Sequence, residues 1–292
     1  MIDKSTMNDC RRMRKTELDK IISEVDSELN KECIPIGARP LRALIKMAAR
    51  LRRPLAFHNQ DQVSQYILAW FEKKYAGRLK VVGPLGEIAI LIRNDPYKMI
   101  IPLVYGCGGS IIAVPNSRDQ LPPINLEPIK INVFDNIKDF TQAYAAELTI
   151  FERKELILFL KWGIDAFQAI ERIQSEVYVP EARGDIQIAV DSLFKTPLQC
   201  GLSKWASHQA TEKLIKAFIK KSGGKVRQIH NLRMLAESAE KLGLGTLNSD
   251  NLDVVQCDPG VRYGEGTSSV QDAVEAHHAS LELCATIARM FV

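Results

Sequence analysis

The chain has few of the features that assign a sequence to a functional class at sight. Its 292 residues include six cysteines, but these form no C-x-x-C pair and have no histidine at zinc-ligand spacing, which argues against a zinc module. No run approaches the roughly 20 consecutive apolar residues of a membrane span. The first residues also lack the apolar stretch of a secretory signal. We therefore expect a cytoplasmic protein with reduced thiols, no metal site and no membrane partner.

Catalytic signatures are equally scarce. The sequence contains no Walker loop, no dinucleotide fingerprint and no Ser-His-Asp elbow. The glycine-rich segment 106–109 precedes a predicted strand, whereas a phosphate cradle needs a helix directly after its glycines, so the segment predicts a hairpin loop. Asp135 and Asp139 do not follow a Gly-Ser turn on a strand, which leaves a two-metal site unsupported. The sequence predicts no cofactor.

Composition indicates an ordinary folded protein. Hydrophobic residues make up 46% of the chain and charged residues 25%, as in globular proteins generally. The length suffices for roughly two domains. A formal charge of +4 permits a nucleic-acid partner without favouring one. Basic residues are concentrated in residues 1–54, and this end of the chain could contact a polyanion.

Hydrophobic periodicity predicts a first domain over residues 1–174. It begins with helical patterns and continues with strand-like segments rich in valine, isoleucine and leucine. The predicted strands are Leu79–Val82, Glu87–Arg93, Met99–Tyr105, Ile111–Val114 and Ile129–Phe134. A turn signal at 94–96 joins the middle pair, so the pattern favours an α+β domain with an antiparallel β-meander. A helix is predicted over Phe151–Ile173, and the segment Val179–Gly184 breaks the pattern.

The second predicted domain, residues 184–292, reads as an all-α bundle. A helix over Leu202–Lys221 has one apolar face, and its other face repeats a polar residue every four positions. The polar residues are His208, Glu212, Lys216 and Lys220. They form either a solvated charged face or, with Lys213, a cationic groove for a phosphate.

Two further segments carry polar candidates. His230 starts the next helical pattern, where it either packs the helix end or faces the groove. Arg262 and Tyr263 follow a turn at 258–260 and precede a serine cap for the last helix. Arg262 either clamps a phosphate through two parallel hydrogen bonds or forms a structural salt bridge while Tyr263 covers the core.

The segments SKWASHQATEKLIKAFI, HNLRML and VRYGE resemble those of HEPN domains. The resemblance covers about the last third of the chain and implies an antiparallel helical bundle. HEPN domains include nucleotide-binding modules, RNA-cleaving toxins and inert dimerisation units, so the family narrows the function without fixing it. It marks as candidate ligand-binding residues His208, Lys213, Lys216, Lys220, His230, Arg262 and Tyr263.

The RNA-cleaving HEPN domains carry an arginine followed four to six residues later by a histidine on one helix. This region has no such pair, because Arg227 and His230 are too close and Arg262 and His277 too distant. We therefore expect a non-catalytic protein that binds a nucleotide or RNA and dimerises, as in prokaryotic stress or defence. The alternatives are a divergent ribonuclease that assembles His208 or His230 with an arginine across helices, and a structural dimer that docks another protein.

The last predicted helix supplies the expected dimer interface. Its apolar stripe, Val270, Val274, Leu281 and Ala288, continues to the end of the sequence. We expect a homodimer that buries about 1,200 Å² or more in total. His277 lies on the same stripe, which favours a buried or interfacial histidine over a catalytic one.

Overall fold

The computed structural model describes residues 15–32, 34, 36, 39–52, 55–57, 61–75, 84–105, 110–115, 130–265 and 268–291. The protein is mostly helical and divides into two compact units. The first unit comprises Met1–Pro84 and Pro102–Ile157, and the second comprises Leu85–Ile101 and Leu158–Val292. These limits differ from the predicted domains, 1–174 and 184–292, because the second unit includes a segment from the middle of the chain.

Four helices lie within the described part of the first unit. They are α1 (Lys15–Lys31), α2 (Arg39–Arg50), α3 (Gln62–Tyr75) and α4 (Gln142–Glu147). The core of this unit is formed by fully buried side chains such as Ile22, Leu44 and Phe71. Pro40 lies in the first turn of α2, where its missing N–H costs no hydrogen bond.

The predicted antiparallel meander is wrong. In the described part of the chain the strands form three separate pairs. These are β1 (Leu55–Phe57) with β4 (Leu103–Tyr105), β2 (Gly86–Ile92) with β3 (Asp95–Ile101), and β5 (Ser110–Ile112) with β6 (Lys130–Asn132). The first two pairs are antiparallel and the third is parallel. Pro102 separates β3 from β4 and has no N–H for a ladder bond. Of the predicted pairings only the β2–β3 hairpin is confirmed, although β4, β5 and β6 overlap predicted strands. Segments 79–82 and 106–109 lie outside the described residues.

The remaining helices are α5 (Ile150–Arg172), α6 (Val179–Ser192), α7 (Cys200–Lys221), α8 (Leu232–Glu240), α9 (Ser249–Val255) and α10 (Val270–Arg289). The predicted helices Phe151–Ile173 and Leu202–Lys221 are confirmed. The segment Val179–Gly184 is the start of α6 and does not break the helical pattern. Pro180 favours a helix at this point because it lies in the first turn. None of the helices in the described part of the chain combines the length and apolar character of a membrane span.

Helix α7 is the centre of the second unit. It packs against α6 and α10 and also contacts α8 and α9, so most of its side chains are buried. The apolar stripe on α10, predicted to form the dimer interface, is largely buried within the chain: Val274, Leu281 and Ala288 are all buried. His277 is buried with them, and burial lowers its pKa to about 3, as expected of a core histidine.

The β2–β3 hairpin packs on this helical unit. Ala89 of β2 is fully buried with Leu193, Ala273 and Val274. The Ala89 carbonyl accepts a hydrogen bond of 2.7 Å from Nε2 of His278 on α10. The hairpin is therefore part of the core of the second unit, although the sequence pattern assigned it to the first domain.

Candidate functional site

One face of α7 carries a cluster of polar and aromatic side chains. Trp205, His208, Glu212 and Lys216 are three or four residues apart, which places them on successive turns of the same face. His230, just before α8, and Arg262, on the 3₁₀ turn Pro259–Tyr263, reach this face from other parts of the chain. The Glu212 cluster, as it is named below, consists of Trp205, His208, Glu212, Lys216, His230 and Arg262.

The buried carboxylate of Glu212 is the centre of this cluster. Its Oε1 accepts a hydrogen bond of 2.7 Å from Nζ of Lys216. Its Oε2 lies 2.9 Å from Nδ1 of His230 and 3.5 Å from Nε2 of His208. The carboxylate thus joins three of the residues that the sequence marked as ligand-binding candidates.

Glu212 is ionised over the whole physiological pH range. Burial acts to raise the pKa of its carboxyl group, but His208, Lys216 and His230 outweigh burial and hold the pKa at about 2. The ammonium group of Lys216 is also buried and pairs with this carboxylate. Separating the two side chains of a buried ion pair leaves an uncompensated charge, which costs free energy. Glu212 and Lys216 therefore stay paired.

His208 is enclosed by the protein. Its side chain is fully buried, and its Nδ1 accepts a hydrogen bond of 3.2 Å from the backbone N–H of Cys257. The proton of the neutral ring therefore lies on Nε2, on the side of Glu212. Trp205 stacks on the imidazole with a centroid distance of 5.3 Å and an interplanar angle of 14°. His208 supports the cluster from within and is not open to a ligand.

His230 is the accessible histidine of the cluster. Its side chain is 60% exposed although its partner carboxylate is buried. Because Glu212 is ionised and can only accept, Nδ1 of His230 donates the shared proton. The neutral ring then has its acceptor at Nε2, away from Glu212. The position of His230 is fixed by α8, whose first turn is capped by the Asn231 side chain.

Arg262 lies between two aromatic rings at the exposed edge of the cluster. Its guanidinium carbon is 5.3 Å from the ring centroid of Trp205 and 4.5 Å from that of Tyr263. Tyr263 is itself 73% exposed. Among the described residues, no carboxylate forms an ion pair with Arg262. Glu212 compensates the charge of Lys216. Arg262 therefore carries the permanent positive charge of the cluster that no described carboxylate compensates.

A glycine allows the turn with Arg262 to approach α7. A Cβ atom at Gly201 would lie 2.1 Å from the carbonyl oxygen of Val261, which is far too close for any side chain. The turn ends at Gly264 with φ of +85°, a left-handed conformation that favours glycine. The two glycines therefore determine where Arg262 and Tyr263 lie.

The structure brings together most, but not all, of the residues predicted from sequence. His208, Lys216, His230 and Arg262 belong to the cluster, and Tyr263 covers Arg262. Lys213 instead pairs with Asp185, and Nζ of Lys220 lies 5.6 Å from the ring centroid of Tyr178. The contacts of Lys213, Lys216 and Lys220 therefore do not place the three lysines in a single groove.

Two members of the cluster were not chosen as site residues from the sequence. Glu212 lies four residues from both His208 and Lys216 on α7, a spacing that places one acceptor between two donors. That signal was present in the sequence. Trp205 had no comparable signal, because its role depends on Arg262, which is distant along the chain.

The cluster does not have the composition of a metal site. Among the described residues, no group of three or more His, Cys, Asp or Glu side chains is arranged to hold a metal ion. The ammonium group of Lys216, which donates a hydrogen bond to Glu212, would also repel a metal cation.

The chain matches no protein-family model, no curated protein and no solved structure.

Proposed function

We propose that the second unit is a HEPN-like, non-catalytic module that binds a nucleotide unit, free or within RNA, at the exposed edge of the Glu212 cluster. The observation that carries the proposal is the state of Arg262, which is exposed, lies between the rings of Trp205 and Tyr263, and has no carboxylate partner among the described residues. A guanidinium in this state can take a phosphate oxygen pair through two parallel hydrogen bonds.

The neighbouring side chains match the other parts of a nucleotide. His230 offers a second phosphate contact when its ring is protonated. The exposed ring of Tyr263 can stack on a base, and such stacking contributes about 1–3 kcal/mol per base in single-strand binding proteins. Glu212, which is itself paired with Lys216, holds the His230 ring in place through the hydrogen bond at Nδ1. This surface therefore suits a ligand that has one phosphate and one base.

The same cluster favours binding over catalysis. Acid and base groups must both reach the reacting atoms, directly or through one water. Of the two histidines in the cluster, His208 is buried and only His230 is exposed. A second proton-transferring group next to His230 is missing among the described members of the cluster. The lack of the Arg–His spacing of RNA-cleaving HEPN domains supports the same conclusion.

A titration with AMP, ATP and a short oligouridine tests the proposal. We expect binding that weakens as salt is added, because phosphate contacts are screened. Replacing Arg262 by Gln should weaken binding about tenfold or more, because hydrogen bonds to charged groups contribute about 1.5–3 kcal/mol. The control is Arg289→Gln, which removes a positive charge at the far end of α10. Equal binding by both variants and the wild type would reject the site.

The nucleotide and RNA forms of the proposal differ in the ligand that binds more tightly. A free-nucleotide module binds AMP or ATP at least as tightly as the oligouridine. An RNA module prefers the oligouridine and shows a steeper dependence on salt, since more phosphates are contacted. Failure of all three ligands would contradict both forms.

A ribonuclease is the second candidate function, and the contact between Glu212 and His230 favours it. A carboxylate on Nδ1 leaves Nε2 to act as a general base. His230 would take the proton of a ribose 2′-hydroxyl, whose oxygen then bonds to phosphorus while the 5′-oxygen leaves and takes a proton from water. RNA cleavage that is lost in His230→Ala and reduced in Glu212→Gln would support this candidate.

We also propose that the protein forms a homodimer. Because the Val274, Leu281 and Ala288 stripe is buried within the chain, it cannot be the interface, and a dimer must use another face. Light scattering over a range of protein concentrations tests the assembly. A monomer at the highest concentration would reject it.

A further inference from the structure

A groove in the second unit lies along α10 and shares no residue with the Glu212 cluster. Its volume is about 450 Å³, and it is lined by Phe159, Trp162, Asn251, Val254, Glu275, His278, Ala279 and Glu282. Four of these residues, 275, 278, 279 and 282, lie on one face of α10 and form its floor. Helix α5 provides the two aromatic residues, and α9 provides the remaining two. This surface is named the α10 groove below.

The charged groups of the α10 groove are carboxylates, which accept hydrogen bonds and carry negative charge. Glu275 and Glu282 line it, and no basic side chain is among its described lining residues. Neither carboxylate forms an ion pair in the described part of the chain. Nε2 of His278 is already used by its bond to the Ala89 carbonyl, and burial lowers the pKa of this histidine, so its other nitrogen is an acceptor. A ligand that donates hydrogen bonds and carries positive charge matches these groups.

The middle of the α10 groove is aromatic. The His278 ring lies 5.3 Å from the Phe159 ring and 5.5 Å from the Trp162 ring, centroid to centroid. Nε1 of Trp162 donates a hydrogen bond of 2.6 Å to Oε2 of Glu282, which holds both the indole and the carboxylate. Aromatic faces next to carboxylates attract organic cations and also cover their alkyl carbons.

The Cα atoms of Glu275 and Glu282 are two turns apart along the helix. Glu275 and Glu282 are seven residues apart, which corresponds to about 10 Å at 1.5 Å per residue. His278 and Ala279 lie between them. From this arrangement we propose that the α10 groove binds a linear alkyl diamine whose two ammonium groups, about 10 Å apart, pair with Glu275 and Glu282 while its carbon chain lies against the aromatic rings.

This arrangement discriminates against other ligands of similar size. An anion is repelled by both carboxylates. A neutral apolar chain displaces water from both carboxylates and offers them no positive charge in return, which costs free energy. A monoamine pairs with only one carboxylate, and a short diamine cannot reach both. The length of the chain and the presence of both charges are therefore the properties that select the ligand.

Isothermal titration of the full chain with diaminooctane, octylamine, octanediol and diaminobutane tests the proposal. Diaminooctane should bind tightest, with octylamine and diaminobutane about threefold to fivefold weaker, as expected for the loss of one exposed ion pair. Octanediol should not bind. Added salt should reduce the binding of diaminooctane more than that of octylamine.

Two substitutions assign the binding to this groove. Glu275→Gln and Glu282→Gln should each reduce the affinity for diaminooctane to that for octylamine. In the Glu282→Gln variant the new amide oxygen can still accept the Trp162 hydrogen bond, so the wall is preserved. Glu275 is exposed, so its substitution does not disturb the core. Glu240→Gln on the exposed surface of α8 is the matched control and should bind as the wild type.

Four outcomes would overturn the proposal. The first is equal affinity for diaminooctane and octylamine. The second is wild-type binding by both groove variants, and the third is an equal loss in the Glu240→Gln control. The fourth is binding of a lysine-rich peptide without binding of diaminooctane. That result would show that the ligand is a lysine side chain of a protein and not a small diamine.

Discussion

Gly201 and Val261 meet backbone to backbone, since a Cβ atom at position 201 would lie 2.1 Å from the Val261 carbonyl oxygen. The contact joins the start of α7 to the turn that carries Arg262. We expect Gly201→Ala to lower the free energy of unfolding by about 1–3 kcal/mol, because the added methyl group forces a backbone shift. The shift should also weaken nucleotide binding. Urea denaturation and the nucleotide titration measure the two effects.

Gly184 provides the matched control for this substitution. It lies within α6, and a Cβ atom there would meet nothing within 4 Å. Gly184→Ala should therefore raise stability by up to about 1 kcal/mol through its better helix propensity. A Gly201→Ala variant as stable as the wild type would show that the turn moves away from α7 without cost.

The second prediction concerns the ion pair between Lys216 and Glu212. Lys216→Met should destabilise the protein by about 3 kcal/mol or more, because it leaves the buried Glu212 carboxylate with too little compensation. Adding Glu212→Gln to this variant should restore part of the loss, since the buried charge is then gone. Urea denaturation of the wild type, both single variants and the double variant measures the coupling. Additive losses in the double variant would contradict this account.

The third prediction concerns pH. The pKa of Glu212 is about 2 in the folded protein and 4.5 as the reference value. The unfolded chain therefore takes up this proton first as the pH falls, and the folded state loses stability between about pH 4.5 and pH 2. The contribution that disappears is roughly 3 kcal/mol at 1.36 kcal/mol per pKa unit. Above pH 5 it is fully present.

Glu212→Gln isolates this contribution from that of other carboxylates. Its stability should fall less steeply than that of the wild type over the same acidic range, because Gln does not titrate. Chemical denaturation at several pH values between 2 and 6 provides the comparison. Parallel curves for the two proteins would mean that the pKa of Glu212 is not depressed in the folded state.

The fourth prediction is that purified protein leaves RNA intact. Only one exposed imidazole belongs to the described cluster, so proton transfer to the leaving oxygen has no protein group next to His230. We expect single-stranded and structured RNA to persist for hours, with or without divalent metal, on denaturing gels. Cleavage that disappears with His230→Ala, and persists with His277→Ala if that variant folds, would identify the second candidate function as the correct one.

Local patterns predicted the parts of this fold that depend on local interactions. The apolar periodicity of α5 and α7 and the turn signal at 94–96 are properties of neighbouring residues, and both helices and the hairpin are confirmed. The turn itself is formed by Arg93 and Asn94. Pairing between distant strands has no such signature. The partner of β4 is β1 and that of β6 is β5, and these choices depend on how the whole chain packs.

The same distinction applies to the candidate site. Glu212 and its neighbours His208 and Lys216 share one helix, so their proximity follows from spacing alone. Arg262 meets Trp205 only because Gly201 admits the turn against α7. A sequence contains no local signal for that encounter. The residues of the site were therefore better predicted than the contacts between them.

The position of the β2–β3 hairpin has a consequence for synthesis of the protein. The hairpin is translated long before α10, whose Val274 and His278 complete its packing. At about 5–20 residues per second, the ribosome needs on the order of 10–40 s to add the intervening chain. An isolated two-stranded hairpin is at best marginally stable in water. During that interval the hairpin can pack on α6 but lacks the contacts of α10. A nascent chain that stops before α10 therefore leaves the hairpin without its final packing partner.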